Sequence, residues 1–375
     1  MLDHPGSSPI TDTGEPQPRT GRTPTSRGVR TTRRAIAATA VLAVLASSTA
    51  TASNSFEGRA INGAGNNVAA PALGVGPGLY ARLDYGPSLP FRNAYADGLG
   101  MPARSDGPNT RTISNVLADQ DSSIPEPLGL NDVAAWWLFH VHIDIAVGAQ
   151  GPVDAAISVP ADDPVFDSDG SIAFRRSFSS VELGIPIPTR EILNTPTAFL
   201  DNDSIYRTNA VDSAAVREGV GGRLKLQPTA SGELVMPSIE YVRNTPGGAG
   251  SFLAPPAPVL FPVSLAAPTT GGAFPPGAAI ATVLMREHNR VADELSSLHR
   301  RQQRALGIPA EHDDAAAHDD AVFDLARAIV EAELQSITYR EVLPALGVEL
   351  PAYDGYDPSV DPTPSVEFAT GPFRV

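Results

Sequence analysis

The sequence predicts a mainly α-helical fold, and two observations support this. Three segments carry apolar residues at the three-and-four spacing of a helix with one buried face, over residues 131–141, 279–298 and 321–346. The 375 residues also include 36 Pro and 33 Gly, so we expect the helices to be separated by long, irregular Pro- and Gly-rich loops. With 42% apolar and 18% charged residues, the chain can bury a large core.

The first 52 residues have the features of an export signal. Six arginines precede the apolar run Ala35–Leu45, and Ala50-Thr51-Ala52 offers a small-residue cleavage site. Thr32-Arg33-Arg34-Ala35 resembles a twin-arginine signal. The apolar run is shorter than the roughly 20 residues needed to cross a bilayer as a helix. We therefore expect an exported protein whose mature part, residues 53–375, has no membrane span.

The first helix is predicted to follow a long covering segment. Residues 53–130 are rich in Gly, Asn and Pro, show little helical periodicity and predict extended structure. Asn131 is a suitable N-cap for the apolar stretch from Ala134 to Val141. This stretch is predicted to be a core helix.

Two longer core helices are predicted in the second half of the chain. Residues Pro246–Pro276 are loaded with Gly, Ala and Pro and predict a loop. Residues 279–298 follow as a helix, and the acidic stretch Glu311–Asp320 predicts a solvated loop. The pattern over residues 321–346 is the clearest helical signal in the chain.

Charge and cysteine content exclude several classes of partner. The formal net charge of −15 disfavours binding to nucleic acid and to anionic membranes. The chain has no cysteine, so it has neither disulfides nor thiolate nucleophiles or metal ligands. Stability must come from packing and from any bound ion or cofactor.

Short motifs occur in a fixed order along most of the mature chain. They are Arg59–Asn67, Tyr95–Gly98, Arg111–Asn115, Asp163–Phe166, Phe174–Ser177, Asn194–Asp201 and Arg286–Arg290. Together they resemble the animal-type haem peroxidases. The resemblance implies a helical haem-peroxidase-like domain over residues 53–375, with haem as cofactor. It also implies an ancestral reaction in which hydrogen peroxide oxidises an organic or halide donor. The sequence does not identify this reducing substrate.

The resemblance implies a calcium loop at Thr197, Phe199, Asp201 and Asp203. Family members place a Thr, a Phe carbonyl, an Asp and a Ser or Asp at these alternate positions, and calcium prefers such oxygen ligands. Without the family context, Asp-Asn-Asp-Ser is more typical of a polar turn. The family's remaining carboxylate directly follows the distal histidine, where this chain has Ile143, with Asp144 one position later.

The distal histidine of the family corresponds to His142. The resemblance implies that it contacts the haem cofactor and acts as general base and then general acid on peroxide, a role suited to an imidazole. Other polar residues of the family's distal site are replaced in this chain. The family's glutamine falls on Leu138, its two ester-forming carboxylates on Val141 and Ala273, and its distal arginine on Thr270.

The family's iron-binding histidine lies beyond a Phe-Arg-aromatic-Gly run, and the sequence stops at Phe373-Arg374-Val375. We therefore expect a C-terminally incomplete domain, lacking a C-terminal segment, that binds haem weakly and has little activity. His288, inside Arg-Glu-His-Asn-Arg, is predicted to be a packing residue and not an axial ligand.

Two other functions remain open from the residues. If residues 140–144 formed a strand, His140, His142 and Asp144 would share a face and could bind a metal, as in a metal-dependent hydrolase. If they form a helix, the three side chains cannot converge. The other alternative is a non-catalytic exported or adhesive protein on a peroxidase scaffold, which the replaced distal residues favour.

Overall fold

The structure is a computed structural model that describes residues 59–83, 107–148, 150–166, 170–186, 190–246 and 275–371. The predicted export signal, Thr270 and Ala273 lie outside these residues. Helices dominate, as predicted. They are α1 (Thr110–Ala118), α2 (Asp132–Ile145), α3 (Asp203–Tyr206), α4 (Ala210–Val216), α5 (Ile239–Asn244), α6 (Pro275–Ser297), α7 (Arg300–Ala305), α8 (Ala315–Ile337), α9 (Leu343–Ala345) and α10 (Val366–Thr370).

The core lies between the two longest helices. Helix α6 packs along α8, and α2 packs against α6. The face that α8 turns inward includes Val322, Ala326, Val330 and Leu334, each fully buried. These residues recur at the spacing of one helix face, which is why the sequence pattern located α8 correctly.

Helix α2 begins where the sequence indicates. The Asn131 side chain accepts a hydrogen bond from the backbone N–H of Val133, so it caps the helix. The helix then runs through His142 and ends at Ile145. Four of its last six residues are buried, and two of these, His140 and Asp144, are polar. A polar pair buried at a helix end requires partners, and these come from the loop 197–203 described below.

The start of α8 corrects one prediction. The solvated loop predicted over Glu311–Asp320 ends at Asp314, whose side chain caps α8 by accepting from the backbone N–H of Ala317. His318 and Asp319 are buried within the helix. At its other end α8 continues into a π-helical turn, Thr338–Val342, and then α9. The predicted helix over residues 321–346 is thus confirmed, with an earlier start and a wider last turn.

Strands among the described residues are short and pair as four separate antiparallel ribbons. The pairs are β1 (Gly78–Leu79) with β6 (Leu193–Asn194), β2 (Gln150–Asp154) with β5 (Arg175–Ser177), β3 (Ile157–Ser158) with β4 (Ser171–Ile172), and β7 (Gln227–Pro228) with β8 (Leu234–Val235). These ribbons and helix α1 interrupt what was predicted to be extended or irregular chain.

The first described segment, residues 59–83, is fastened to a segment near the other end of the described chain. The Tyr356 hydroxyl accepts from the backbone N–H of Val68, and the Asn67 side chain donates to the carbonyl of Pro358. Further along, Ala81 pairs with Ser365 in a parallel bridge. We call these contacts the terminal clasp.

Candidate active site

Helix α2 is joined to the loop 197–203 through a buried carboxylate. Asp144 accepts hydrogen bonds at one oxygen, Oδ2, from the backbone N–H groups of Asp201 and Asn202, each at 3.0 Å. Asn202 adopts a left-handed conformation, with φ of 60°, and this turns successive N–H groups toward Asp144. The loop is therefore held against the last turn of α2.

The four residues predicted to bind calcium lie together in this loop. The Thr197 hydroxyl lies 2.8 Å from Oδ2 of Asp201 and 3.4 Å from the carbonyl oxygen of Phe199. The backbone N–H of Thr197 donates to Oδ2 of Asp203 at 2.6 Å. Residues 198–201 form successive bends that lead into α3. These contacts bring oxygen atoms of the four residues together.

Asp144, and not Ile143, is the α2 side chain that faces this loop. The resemblance implies the family's remaining carboxylate at position 143, next to His142. In the structure Ile143 is a buried apolar residue, and Asp144 is the side chain that reaches the loop. One residue rotates a helix position by about 100°, so only a structure shows which neighbour faces the loop.

The three aspartates make this cluster electrostatically costly without a cation. Burial, followed by the charge of Asp201, raises the pKa of Asp144 well above its ordinary value. Burial also raises the pKa of Asp203, and it raises that of Asp201 to about 6 despite the hydrogen bond from Thr197. One oxygen of Asp144 and one of Asp201 are buried without a hydrogen-bond partner. Such atoms are uncommon in folded proteins and suit a bound cation.

Histidine, cysteine and carboxylate side chains alone do not complete a metal site here. Across the described residues, no three of them are grouped as metal ligands. Calcium, however, draws part of its six-to-eight-oxygen shell from hydroxyl and carbonyl groups, which Thr197 and Phe199 can supply. The orphaned carboxylate oxygens and this donor set together fit calcium.

His142 and His140 occupy different environments on α2. His142 is half-buried, and its ring centroid lies 6.4 Å from that of Phe139. His140 is completely buried, its Nε2 lies 3.1 Å from the side-chain oxygen of Asn202, and burial lowers its pKa. His140 and Asp144 lie one helical turn apart and both contact the loop. Because the segment is helical, the strand that the metal-hydrolase alternative requires is not formed.

The Arg-Glu-His-Asn-Arg motif has a structural role on α6. His288 is fully buried, with Nδ1 2.9 Å from the Tyr206 hydroxyl and Nε2 2.8 Å from the carbonyl oxygen of Gly222. The Asn289 side chain bonds both the N–H and the carbonyl of Leu224. The prediction that His288 is a packing residue is confirmed, because both of its ring nitrogens are engaged within the fold.

Gly222 is a structural residue that the sequence analysis did not single out. It adopts a φ of +68°, and an added Cβ would lie 2.5 Å from the backbone nitrogen of Phe323. Its N–H donates to Asp319 at 2.6 Å. The chain at residue 222 thus passes directly over α8, and only glycine allows this approach. The Gly221-Gly222 pair was the available sequence signal.

The haem-facing residues fit the family only in part. His142 is placed on α2, but the neighbouring positions that carry polar groups in the family hold the apolar Leu138 and Val141, and Val141 is buried. Of the described histidines outside α2, His288 is fully buried on α6, His299 caps α7, His312 is exposed beside Asp313, and His318 bonds the carbonyl of Pro309. His142 matches the distal position that the resemblance implies, and the polar groups that would support a haem there are replaced at Leu138 and Val141.

The helix-rich fold is that of the peroxidases. The chain belongs to the animal haem peroxidase family, whose model matches residues 58–375. It is 28% identical over 340 residues to peroxinectin A of Dictyostelium discoideum, covering 86% of this chain and 57% of the relative. Peroxidase skpo-1 of Caenorhabditis elegans is 29% identical over 341 residues, covering 84% of this chain and 43% of the relative.

A solved structure supports the same family. Peroxidase A from Dictyostelium discoideum matches with a TM-score of 0.63 and 25% identity, over 85% of this chain and 59% of that one. The chain spans about half the length of the curated relatives it matches. Within the described residues, no helix combines the length and apolar character that crossing a membrane requires.

Proposed function

We propose that this chain forms the distal part of an exported haem peroxidase, in which hydrogen peroxide oxidises an organic or halide donor. The observation that carries the proposal is the arrangement on α2, where half-buried His142 lies two residues before Asp144, the side chain that bonds the loop 197–203. Export is supported by the signal-like sequence of residues 1–52. Haem, when bound, supplies the redox chemistry.

His142 has the chemistry for proton transfer in this proposal. An imidazole that titrates near neutral pH can take a proton from hydrogen peroxide and return it to the departing oxygen. Because the α2 backbone is tied to the loop through Asp144, the ring is presented on a fixed helix end. Calcium bound by Thr197, Phe199, Asp201, Asp203 and Asp144 would strengthen that support.

We expect haem binding and turnover by this chain to be weak, because three supporting groups are replaced. Leu138, Val141 and Thr270 stand where the family has a glutamine, an aspartate and an arginine. Losing one preorganised donor costs on the order of 10²–10³ in rate. Leu138 and Val141 are apolar, and the neutral hydroxyl of Thr270 cannot supply the positive charge with which an arginine stabilises a departing oxygen.

Haem titration of the purified chain tests this proposal. We expect no strong Soret band and negligible oxidation of guaiacol by hydrogen peroxide. Leu138→Gln combined with Thr270→Arg should raise turnover at least about tenfold, and adding His142→Gln should abolish that gain. The control is Val133→Gln, an exposed position on the same helix, which should have no effect.

Two results would contradict the proposal. A tight stoichiometric haem complex of the unmodified chain would contradict weak binding. Turnover that is insensitive both to the restored groups and to His142→Gln would contradict the assigned role of His142. In that second case, calcium binding without haem chemistry would favour a non-catalytic protein on the peroxidase scaffold.

A further inference from the structure

A cleft of about 610 Å³ opens where the β2–β5 and β3–β4 ribbons meet the first turn of α1. Ile157, Phe174 and Ile192 form an apolar wall, and Arg176 and Arg190 are its charged lining residues. Neither His142 nor any predicted calcium ligand lines it. Its volume is within the range of about 300–1,000 Å³ that holds small organic ligands.

The charged residues that line the cleft are both basic, although the chain as a whole is acidic. The formal net charge is −15, yet the described residues that line the cleft include two arginines and no aspartate or glutamate. Their remaining polar groups are hydroxyls and one amide, from residues such as Ser158, Ser177 and Thr370. Donor groups without a carboxylate favour an anion and disfavour a metal cation.

Arg190 is a fixed part of the wall. Its side chain is only 10% exposed, and its Nη2 bonds Oε1 of Glu182, which lies behind the lining. Glu182 is held in turn through Oε2 by the backbone N–H of Ser179, at 3.0 Å. A guanidinium oriented in this way loses little conformational freedom when it meets a ligand. Arg176, on β5, is half-buried in the same cleft.

We propose that this cleft binds an aromatic carboxylate. A guanidinium donates two parallel hydrogen bonds to a carboxylate, and this geometry is stronger and more selective than a contact with a point charge. The Phe174 ring is 52% exposed in the free protein and offers a face or edge to a planar apolar body. The site depends on neither haem nor calcium, so it can be tested apart from the proposed peroxidase activity.

Binding of 2-naphthoate to the full chain, measured by calorimetry or by ligand fluorescence, tests the proposal. We expect saturable one-to-one binding that weakens as salt concentration rises, because the recognition includes a charge. Two further probe molecules test the contributions of the aromatic body and of the charge separately. Neutral 2-naphthalenemethanol keeps the aromatic body without the charge, and inorganic phosphate keeps charge without the body. Both should bind at least tenfold more weakly than 2-naphthoate.

Adjacent arginines on β5 provide a matched pair of variants. Arg176→Gln should weaken binding of 2-naphthoate roughly tenfold or more, the usual effect of losing a charged hydrogen bond. Arg175→Gln should leave binding unchanged within twofold, because Arg175 is exposed, pairs with Asp154 and does not line the cleft. Phe174→Ala should weaken 2-naphthoate binding while leaving the response to phosphate unchanged.

The proposal fails if 2-naphthoate shows no saturation in the millimolar range, or if the neutral alcohol binds as tightly as the carboxylate. Equal weakening by Arg175→Gln and Arg176→Gln would also overturn it, because that result indicates general surface attraction. If Arg176→Gln does not fold, as judged by circular dichroism, the salt dependence and the neutral probe, both measured on the unmodified chain, still decide the question.

Discussion

The Asp144 carboxylate accepts a hydrogen bond from the backbone nitrogen of Asp201 at 3.0 Å, and this contact joins the end of α2 to the loop that holds the other two buried aspartates. The same side chain carries a buried oxygen without a partner. The contact therefore orders the loop and also brings a third carboxylate close to the other two. A bound cation would offset the repulsion between the carboxylates while the contact continued to order the loop.

Calcium is expected to stabilise the protein through this cluster. A ligand present at about 1,000 times its dissociation constant adds about 4 kcal/mol to the free energy of unfolding. We therefore expect calcium to raise the melting temperature by several degrees relative to a chelator. Asp144→Asn should remove most of the shift, and Asp132→Asn, at an exposed position on the same helix, should preserve it. Identical melting curves with calcium and with chelator would exclude the assignment.

Substitution of the two histidines of α2 should destabilise the protein to different extents. His140→Ala removes a fully buried ring and its contact with Asn202, so we expect a loss of about 2–4 kcal/mol in the free energy of unfolding. His142→Ala, at a half-buried position, should cost less than about 1 kcal/mol. Urea denaturation of both variants measures this difference. Comparable losses would show that His142 is also a packing residue.

His288 should make stability dependent on pH. Burial lowers its pKa from 6.5 to about 4. A depressed pKa means that the unfolded chain takes up the proton first, so this stabilisation is complete above pH 6.5 and is lost as pH falls toward 4. The shift corresponds to about 3 kcal/mol.

Urea denaturation between pH 7.5 and pH 4 measures this dependence. We expect the destabilisation caused by His288→Gln to shrink over that range by about the same 3 kcal/mol. Tyr206→Phe is the matched control, because it removes the hydrogen bond at Nδ1 but retains the imidazole. It should therefore keep the pH dependence. A constant difference between the His288→Gln variant and the unmodified chain would show that the histidine is not the responsible group.

Alanine substitutions at Gly222 and Gly221 distinguish the cost of a steric contact from the cost of backbone strain. Both have positive φ, at 68° and 63°, but only the Cβ of an alanine at 222 would meet other atoms, including the backbone of Phe323. We expect Gly221→Ala to cost roughly 1 kcal/mol from the left-handed backbone alone. Gly222→Ala should cost several kcal/mol or prevent folding. Thermal melts of the two variants give the comparison, and equal losses would contradict the close approach.

The long helices could be predicted from the sequence because their signals are local. The Asn131 cap, the buried face of α8 and the interior of α6 are each encoded within a few turns. The start of α8 was missed because acidic residues were taken as solvated. Asp314 followed by three alanines was the available signal for a capped helix start. The two-residue strands form through distant pairing and have no local pattern.

The sequence indicated which loop residues would lie together, but not which position of α2 would contact them. Family motifs identified Thr197, Phe199, Asp201 and Asp203, and the structure brings their oxygen atoms together. Asp144 was set aside on linear spacing, whereas its contact with the loop depends on the rotation at the end of α2. Whether the cluster binds calcium, and whether His142 acts on peroxide, remain predictions. Thr270 and Ala273 lie outside the residues that the structure describes.

The terminal clasp has a consequence for how this protein is made. Its hydrogen bonds join residues 288 and 291 positions apart in the chain, at Tyr356 with Val68 and at Asn67 with Pro358. Contacts between such distant residues form slowly and late in folding. During synthesis, β1 can pair with β6 well before the clasp contacts form, because those contacts require residues 356–365 to have emerged from the ribosome. An early-made segment of this domain is thus fully fixed only near the end of folding.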